Sequence, residues 1–145
     1  MSGTGKSTVI GELGARGYRA IDVDSPTWSR HDPDGDWIWR EDRVRAVLAD
    51  EQSDVLFIAG CATNQVEFHP QFDYIILLSA PTDVIVERLT TRTNNEYGKT
   101  AAELAEVLGY VGTVEPLLRN VADHEVDGSL PLADVVDTIL RLVKE

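Results

Sequence analysis

The first eight residues have the types and spacing that phosphate chemistry needs. They read MSGTGKST and contain the G-K-[ST] half of a phosphate-binding loop, G-x-x-x-x-G-K-[ST]. Glycine at positions 3 and 5 leaves backbone N–H groups free to turn towards phosphate oxygens, because no side chain blocks the concave face. The lysine is placed to reach the β- and γ-phosphates of a nucleotide, and the serine hydroxyl to reach Mg²⁺. The predicted nucleotide-binding residues of this segment are Gly3, Thr4, Gly5, Lys6, Ser7 and Thr8.

A helix must follow such a loop directly, so that its N-terminus faces the phosphates. Val9, Ile10 and Leu13 give the next segment an apolar face, and the glycines of 14–17 end it. A disordered Gly/Ser/Thr-rich terminus is the alternative interpretation. The helix favours the phosphate loop, because it starts where the loop should end.

The buried strand that leads into a phosphate loop, and the first glycine of the motif, would both precede Met1. If this strand lay inside the sheet, its absence would leave unpaired backbone groups on its neighbours, each of which costs roughly 1–3 kcal/mol. We therefore expect about eight to ten further residues upstream, enough for a short strand and that glycine.

Two aspartates lie at the end of the next predicted strand, Tyr18 to Asp24. Asp22 and Asp24 are two residues apart, so on an extended segment they point to the same side. At the carboxyl end of a strand in an open α/β sheet, that side opens onto the ligand crevice. The alternative is an acidic turn that is simply solvated.

Further candidates lie in the middle of the chain. The segment 25–36 predicts a loop and 37–48 a helix, on which Arg40 and Arg43 are about one turn apart. These arginines could bind an anionic substrate or pair with nearby carboxylates. The apolar run DVLFIAGC predicts a strand buried on both faces, which Gly60 ends at a point where the backbone lies close to another group. Cys61 lines the crevice or, as a small apolar residue, fills the core.

The second half continues the alternation of strands and helices. Strands are predicted at 74–78 and 124–127, and helices at 81–92, 101–121 and 132–143. The middle helix is predicted to be capped by Thr100 and kinked before Pro116. The polar segment at about 92–100 predicts a lid over the site, with a solvated loop as its alternative. Alternating elements predict an α/β fold, a three-layer parallel sheet flanked by helices, over a single domain 1–145.

Composition narrows the partners and the compartment. The net charge of −12 argues against nucleic acid or an anionic membrane as a partner. Cys61 is the one cysteine, which excludes an internal disulfide and fits a reducing cytoplasm. We expect a cytoplasmic monomer or weak homodimer.

Taken together, these motifs resemble the small P-loop kinase superfamily, with shikimate kinase and adenylate kinase as the nearest in layout. The resemblance rests on SGTGKST, on the Asp22–Asp24 strand end, on Trp39-Arg40, on LSAPTDVIVERLTTR and on ADHEVDGSLPLADVV. The chain departs from shikimate kinase in Ala59-Gly60-Cys61 and in the lid sequence TNNEYGK, which puts shikimate in doubt as the substrate. The patterns W-x-W-R and T-N-N-x-Y-G-K also resemble short bacterial ATP-binding proteins of AAA type, a resemblance that implies no particular substrate.

The resemblance implies phosphoryl transfer from MgATP to a small-molecule hydroxyl. Ser7 and Asp22 would then orient Mg²⁺, and Asp24 would position or deprotonate the acceptor. Charge in the transition state would be offset by Arg92, with help from Arg88. The implied adenine contacts are Arg119 and the segment from Asp127 to Ser129, and the implied substrate contacts are Asp24, Arg40, Arg43, Gly60 and Cys61. The resemblance also implies that the strand expected before Met1 is the central strand of the sheet. A nucleotide kinase with a phosphate acceptor and a non-catalytic ATP-binding module are the alternatives.

Overall fold

The computed structural model of the chain describes residues 4–50, 55–91 and 99–144. Helices are α1 (Lys6–Ala15), α2 (Glu41–Leu48), α3 (Thr82–Thr91), α4 (Ala101–Thr113), α5 (Glu115–Val121) and α6 (Leu132–Lys144). Strands are β1 (Arg19–Asp22), β2 (Ser29–His31), β3 (Trp37–Trp39), β4 (Leu56–Ala59), β5 (Ile76–Ser79) and β6 (His124–Asp127). A 3₁₀ helix covers Gln65–Gln71. The predicted α/β class is confirmed.

The chain divides into two compact units. We call Met1–Lys6 with Tyr74–Glu145 the terminal unit, and Ser7–Asp73 the middle unit. The chain therefore passes from one unit to the other inside the G-K-S motif. Among the described strands, β1 pairs only with β4 and β5 only with β6, both in parallel. The expected single sheet and its additional strand therefore stay predictions.

The middle unit is built on the β1–β4 pair. Asp22 lies opposite Ala59 at its end, and the Val23 N–H donates to the Ala59 carbonyl at 2.9 Å, which carries the pairing one residue further. The core of this unit consists of Val23, Trp39, Val44, Ala62 and Phe68, with partly buried aromatic rings around them. The strand end that carries the two aspartates is thus anchored directly on a buried cluster.

The predicted helix 37–48 is wrong in its first turn, and the predicted loop 25–36 contains a strand. Trp37–Trp39 pair antiparallel with Ser29–His31, and α2 begins only at Glu41. The turn between the two strands is closed by the Gly35 N–H on the Asp32 carbonyl at 2.9 Å, with Gly35 at a φ of 88°. The sequence D-P-D-G therefore acts as a hairpin turn, which favours β structure in the following W-I-W.

The terminal unit contains the β5–β6 pair, in which Ser79 lies opposite Asp127. Helix α6 buries one apolar face, and a second cluster joins Ile85 and Leu89 to Val107 of α4. The Thr100 hydroxyl accepts the Glu103 N–H at 3.1 Å, which confirms the predicted cap, and the helix breaks at Val114 before Pro116 as expected. In the described ranges, no helix combines the length and apolar character needed to cross a membrane.

Candidate functional site

The end of the phosphate loop lies in the terminal unit. Gly5 has a φ of 101°, a conformation that residues with a side chain rarely adopt. A Cβ placed on Gly5 would also lie 3.4 Å from Nη1 of Arg88. Thr4 before it is 1% exposed, and Lys6 after it begins α1. The local backbone therefore has the left-handed glycine and the immediate helix start that the motif predicts.

A turn that follows β6 lies directly against this loop. The Gly128 N–H donates to the Ser79 carbonyl at 2.6 Å, and Nη2 of Arg88 donates to the Gly128 carbonyl at 2.6 Å. A Cβ on Gly128 would clash with the carbonyl oxygen of Thr4. Contact between the turn and the phosphate loop thus depends on the absence of a side chain at this position.

Asp127 and Ser129, two predicted adenine contacts, flank that glycine. Ser129 donates to Oδ1 of Asp127 from its backbone N–H at 2.8 Å and from its hydroxyl at 2.6 Å. These two donors, and the positive charge of Arg88 to a smaller extent, hold the pKa of Asp127 below its ordinary value. The turn therefore keeps an ionised, oriented carboxylate at the end of β6.

Arg119, the third predicted adenine contact, is held by two glutamates. Its Nε donates to Oε1 of Glu125 at 2.6 Å, and its Nη2 to Oε1 of Glu115 at 2.7 Å. Hydrogen bonds from Arg119, then from the Ser79 hydroxyl at 2.7 Å, lower the pKa of Glu125. The same carboxylates raise the pKa of Arg119 above its ordinary value. Its stacking on adenine stays a prediction, and any such stacking would have to use the planar face of this anchored guanidinium.

In the middle unit, the structure brings together the two residues predicted to orient a metal ion. The Ser7 hydroxyl donates to Oδ2 of Asp22 at 2.8 Å, and the other oxygen of Asp22 accepts the Asp24 N–H at 3.0 Å. Both are hard oxygen ligands, and Mg²⁺ usually takes only one or two protein oxygens beside phosphates and water. The pair therefore fits Mg²⁺. The described residues contain no group of three or more histidine, cysteine or acidic side chains that could hold a metal by themselves.

The carboxylate of Asp24 has its own supports. The Cys61 N–H lies 3.0 and 3.2 Å from its two oxygens, and the indole Nε1 of Trp37 donates to Oδ1 at 3.4 Å. A Cβ on Gly60 would lie 2.8 Å from Oδ1 of Asp24 and 2.7 Å from Cγ2 of Val23. Gly60 and Cys61, predicted to contact substrate, are thus found beside Asp24.

Arg40 and Arg43 hold the loop that follows the aspartates. Nε of Arg40 donates to the Pro26 carbonyl at 3.1 Å, and Nη1 of Arg43 donates to the Thr27 carbonyl. Both guanidiniums therefore bind backbone oxygens, which neither sequence interpretation anticipated. Their contact with a substrate stays a prediction.

Some predicted site residues lie outside the described part of the chain or at its surface. Gly3, Arg92 and segment 92–98 of the lid lie outside the described residues. Thr8 is exposed in the first turn of α1. The contact of Trp37 with Asp24 and that of Gly128 with Thr4 were not predicted from the sequence. The turn sequence D-P-D-G before W-I-W could have indicated a hairpin and so a different direction for Trp37, whereas no local signal indicates the contact of Gly128 with Thr4.

Comparison with known families agrees with the geometry around the G-K-S motif. A family model described as an AAA domain matches residues 1–109, about three quarters of the 145 residues. A comparison with curated proteins gives no match. AAA domains are of the P-loop NTPase type, a class that includes kinases and whose motif implies nucleotide binding, typically with Mg²⁺. The chain therefore belongs to the AAA domain family.

Proposed function

We propose that the protein transfers the γ-phosphoryl group of MgATP to a hydroxyl of a small molecule. The observation that carries this proposal is the strand end of β1, where Asp22 accepts a hydrogen bond from the loop serine and Asp24 follows two residues later. One carboxylate is thus hydrogen-bonded to the loop serine, and a second lies two residues further along, oriented by the Cys61 N–H and the Trp37 indole. A nucleotide-binding domain alone needs only the first.

The loop residues bind and orient the phosphates in this proposal. Lys6 and the loop amides donate to the β- and γ-phosphates, and Ser7 and Asp22 hold Mg²⁺. Bound Mg²⁺ supplies positive charge that offsets the negative charge of the transferring phosphoryl group. Arg92, with Arg88, is proposed to add to this effect.

Asp24 binds the hydroxyl group of the phosphoryl acceptor in this proposal. Its oxygens accept N–H groups from Cys61 and Trp37, and these bonds fix the direction of the carboxylate. A carboxylate in this position can accept the hydrogen of a hydroxyl group and orient its oxygen for attack. It would repel a phosphate, so this arrangement favours a hydroxyl acceptor over the phosphate acceptor of a nucleotide kinase.

The test measures ADP release from MgATP with two panels, one of sugars and polyols and one of nucleoside monophosphates. We expect hydroxyl-dependent ADP release that Asp24→Asn abolishes and Asp42→Asn retains, because Asp42 is an exposed aspartate on α2. Release that depends on nucleoside monophosphates would instead support a nucleotide kinase. ATP binding without turnover on either panel would support a non-catalytic module.

A further inference from the structure

Gly128 occupies a position with no room for a side chain. Its ideal Cβ would clash with the Thr4 carbonyl oxygen and would lie 3.2 Å from both Cγ of Leu78 and the Ser79 carbonyl oxygen. Two of these three neighbours are backbone atoms, which cannot rotate away as a flexible side chain can. An added methyl group must therefore displace main chain on at least one side.

The turn is tied to two neighbouring elements. Gly128 is tied to the end of β5 through its N–H on Ser79, and to α3 through the guanidinium of Arg88 on its carbonyl. Both hydrogen bonds measure 2.6 Å, and moving the turn would strain or break both. A side chain at position 128 would therefore press most directly on the segment containing Thr4 and Gly5.

We propose that Gly128 is a positioning residue for the phosphate loop. Its lack of a side chain lets the Thr4 carbonyl rest against the turn after β6, and this contact sets the place of the Gly5 backbone and of the amides that follow it. Arg88 completes the support, since Nη2 binds Gly128 and Nη1 lies 3.4 Å from the Cβ position of Gly5. The turn predicted to contact the base thus also determines how well the phosphates are bound. The inference rests on the nucleotide binding in the proposed function and does not require phosphoryl transfer.

The test compares Gly128→Ala with Gly112→Ala, a glycine on α4 whose added Cβ would meet nothing within 4 Å. Calorimetric titrations use MgATP, magnesium tripolyphosphate and adenosine as separate ligands. Tripolyphosphate is the decisive ligand, because it has no base to touch the turn. Overpacking of this kind should weaken MgATP and tripolyphosphate binding by about 5-fold to 150-fold in Gly128→Ala. Gly112→Ala should bind both ligands as the wild type does.

The other outcomes separate the positioning role of Gly128 from the proposed function. Unchanged tripolyphosphate affinity in Gly128→Ala overturns the positioning role, and a loss confined to adenosine shows that the residue serves the base alone. Wild-type protein that binds neither MgATP nor tripolyphosphate refutes the proposed function, and the positioning role with it. Wild-type protein that binds both but transfers no phosphoryl group refutes only the kinase activity.

A second variant covers the case in which Gly128→Ala does not fold. Arg88→Met removes the donor to the Gly128 carbonyl without adding atoms at the contact, and Arg88→Lys keeps a donor. Without any ligand, the amide NMR resonances of Gly5 and Lys6 should shift in Arg88→Met and shift less in Arg88→Lys. A direct phosphate contact of Arg88 could not produce that shift in the absence of ligand. Unmoved resonances in Arg88→Met would overturn the proposal.

Discussion

Replacing Gly60 by alanine tests how the middle unit holds its second aspartate. Gly60 does not have a positive φ, so alanine suits the backbone and the effect comes from the added methyl group alone. That Cβ would lie 2.7 Å from Cγ2 of Val23, and 2.8 and 3.2 Å from Oδ1 and Cγ of Asp24. Val23 is fully buried and β-branched, so it cannot change rotamer without disturbing the core. Asp24 is held by the Cys61 N–H, so it can yield only by giving up that bond.

The expected cost is that of overpacking, about 1–3 kcal/mol in the free energy of unfolding, or roughly 2–12 °C in melting temperature for a chain of this size. Gly11→Ala is the matched control, because Gly11 lies in the middle of α1 with nothing within 4 Å of an added Cβ. Removing that helical glycine should stabilise the protein by about 0.5–1 kcal/mol. Urea unfolding followed by circular dichroism measures both changes. A Gly60→Ala protein as stable as the wild type would refute the contact between Gly60 and the Val23–Asp24 segment.

Three further predictions concern individual groups. Trp37→Phe removes the indole donor to Asp24 and should lower kcat for acceptor-dependent ADP release more than it raises KM for ATP; equal effects on both would contradict a role through Asp24. Asp22→Asn should raise the Mg²⁺ concentration needed for half-maximal turnover, and an unchanged requirement would show that Asp22 does not serve the metal. Hydrogen bonding to Arg119 lowers the pKa of Glu125 in the folded protein. The ionised Glu125 should therefore stabilise the fold at pH values above its unfolded-state pKa near 4.5, and this stabilisation should be lost as the pH falls through the folded-state pKa. Urea midpoints between pH 2 and 6 should therefore vary less in Glu125→Gln than in the wild type.

The features that the sequence predicted correctly depend on neighbours close along the chain. The G-K-S motif predicted a helix that follows the loop at once, and α1 begins at Lys6. Thr100 could be recognised as a helix cap because its partner lies three residues later. Such features follow from local backbone geometry and hydrogen bonding, which a short stretch of sequence largely determines.

The features that it missed depend on contacts between distant segments. The partners of Gly60 and Gly128 could not be predicted, because they are side chains and carbonyl groups far away in sequence that approach within van der Waals distance. The direction of Trp37 depends on the β2–β3 hairpin. A helix was predicted there instead, because the apolar spacing of 37–48 also suits a helix. Arg40 and Arg43 bind backbone carbonyls, and no residue pattern indicates where a carbonyl will be free.

The most direct test of the proposed phosphoryl transfer is ³¹P NMR of MgATP mixed with the sugar and polyol panel. The wild-type protein should produce ADP together with a new phosphomonoester resonance. Lys6→Ala should slow both about a hundredfold or more, because it removes a charged donor from the phosphates where charge develops. ADP that appears with inorganic phosphate alone, or equal rates in the two proteins, would contradict transfer to a hydroxyl by this phosphate loop.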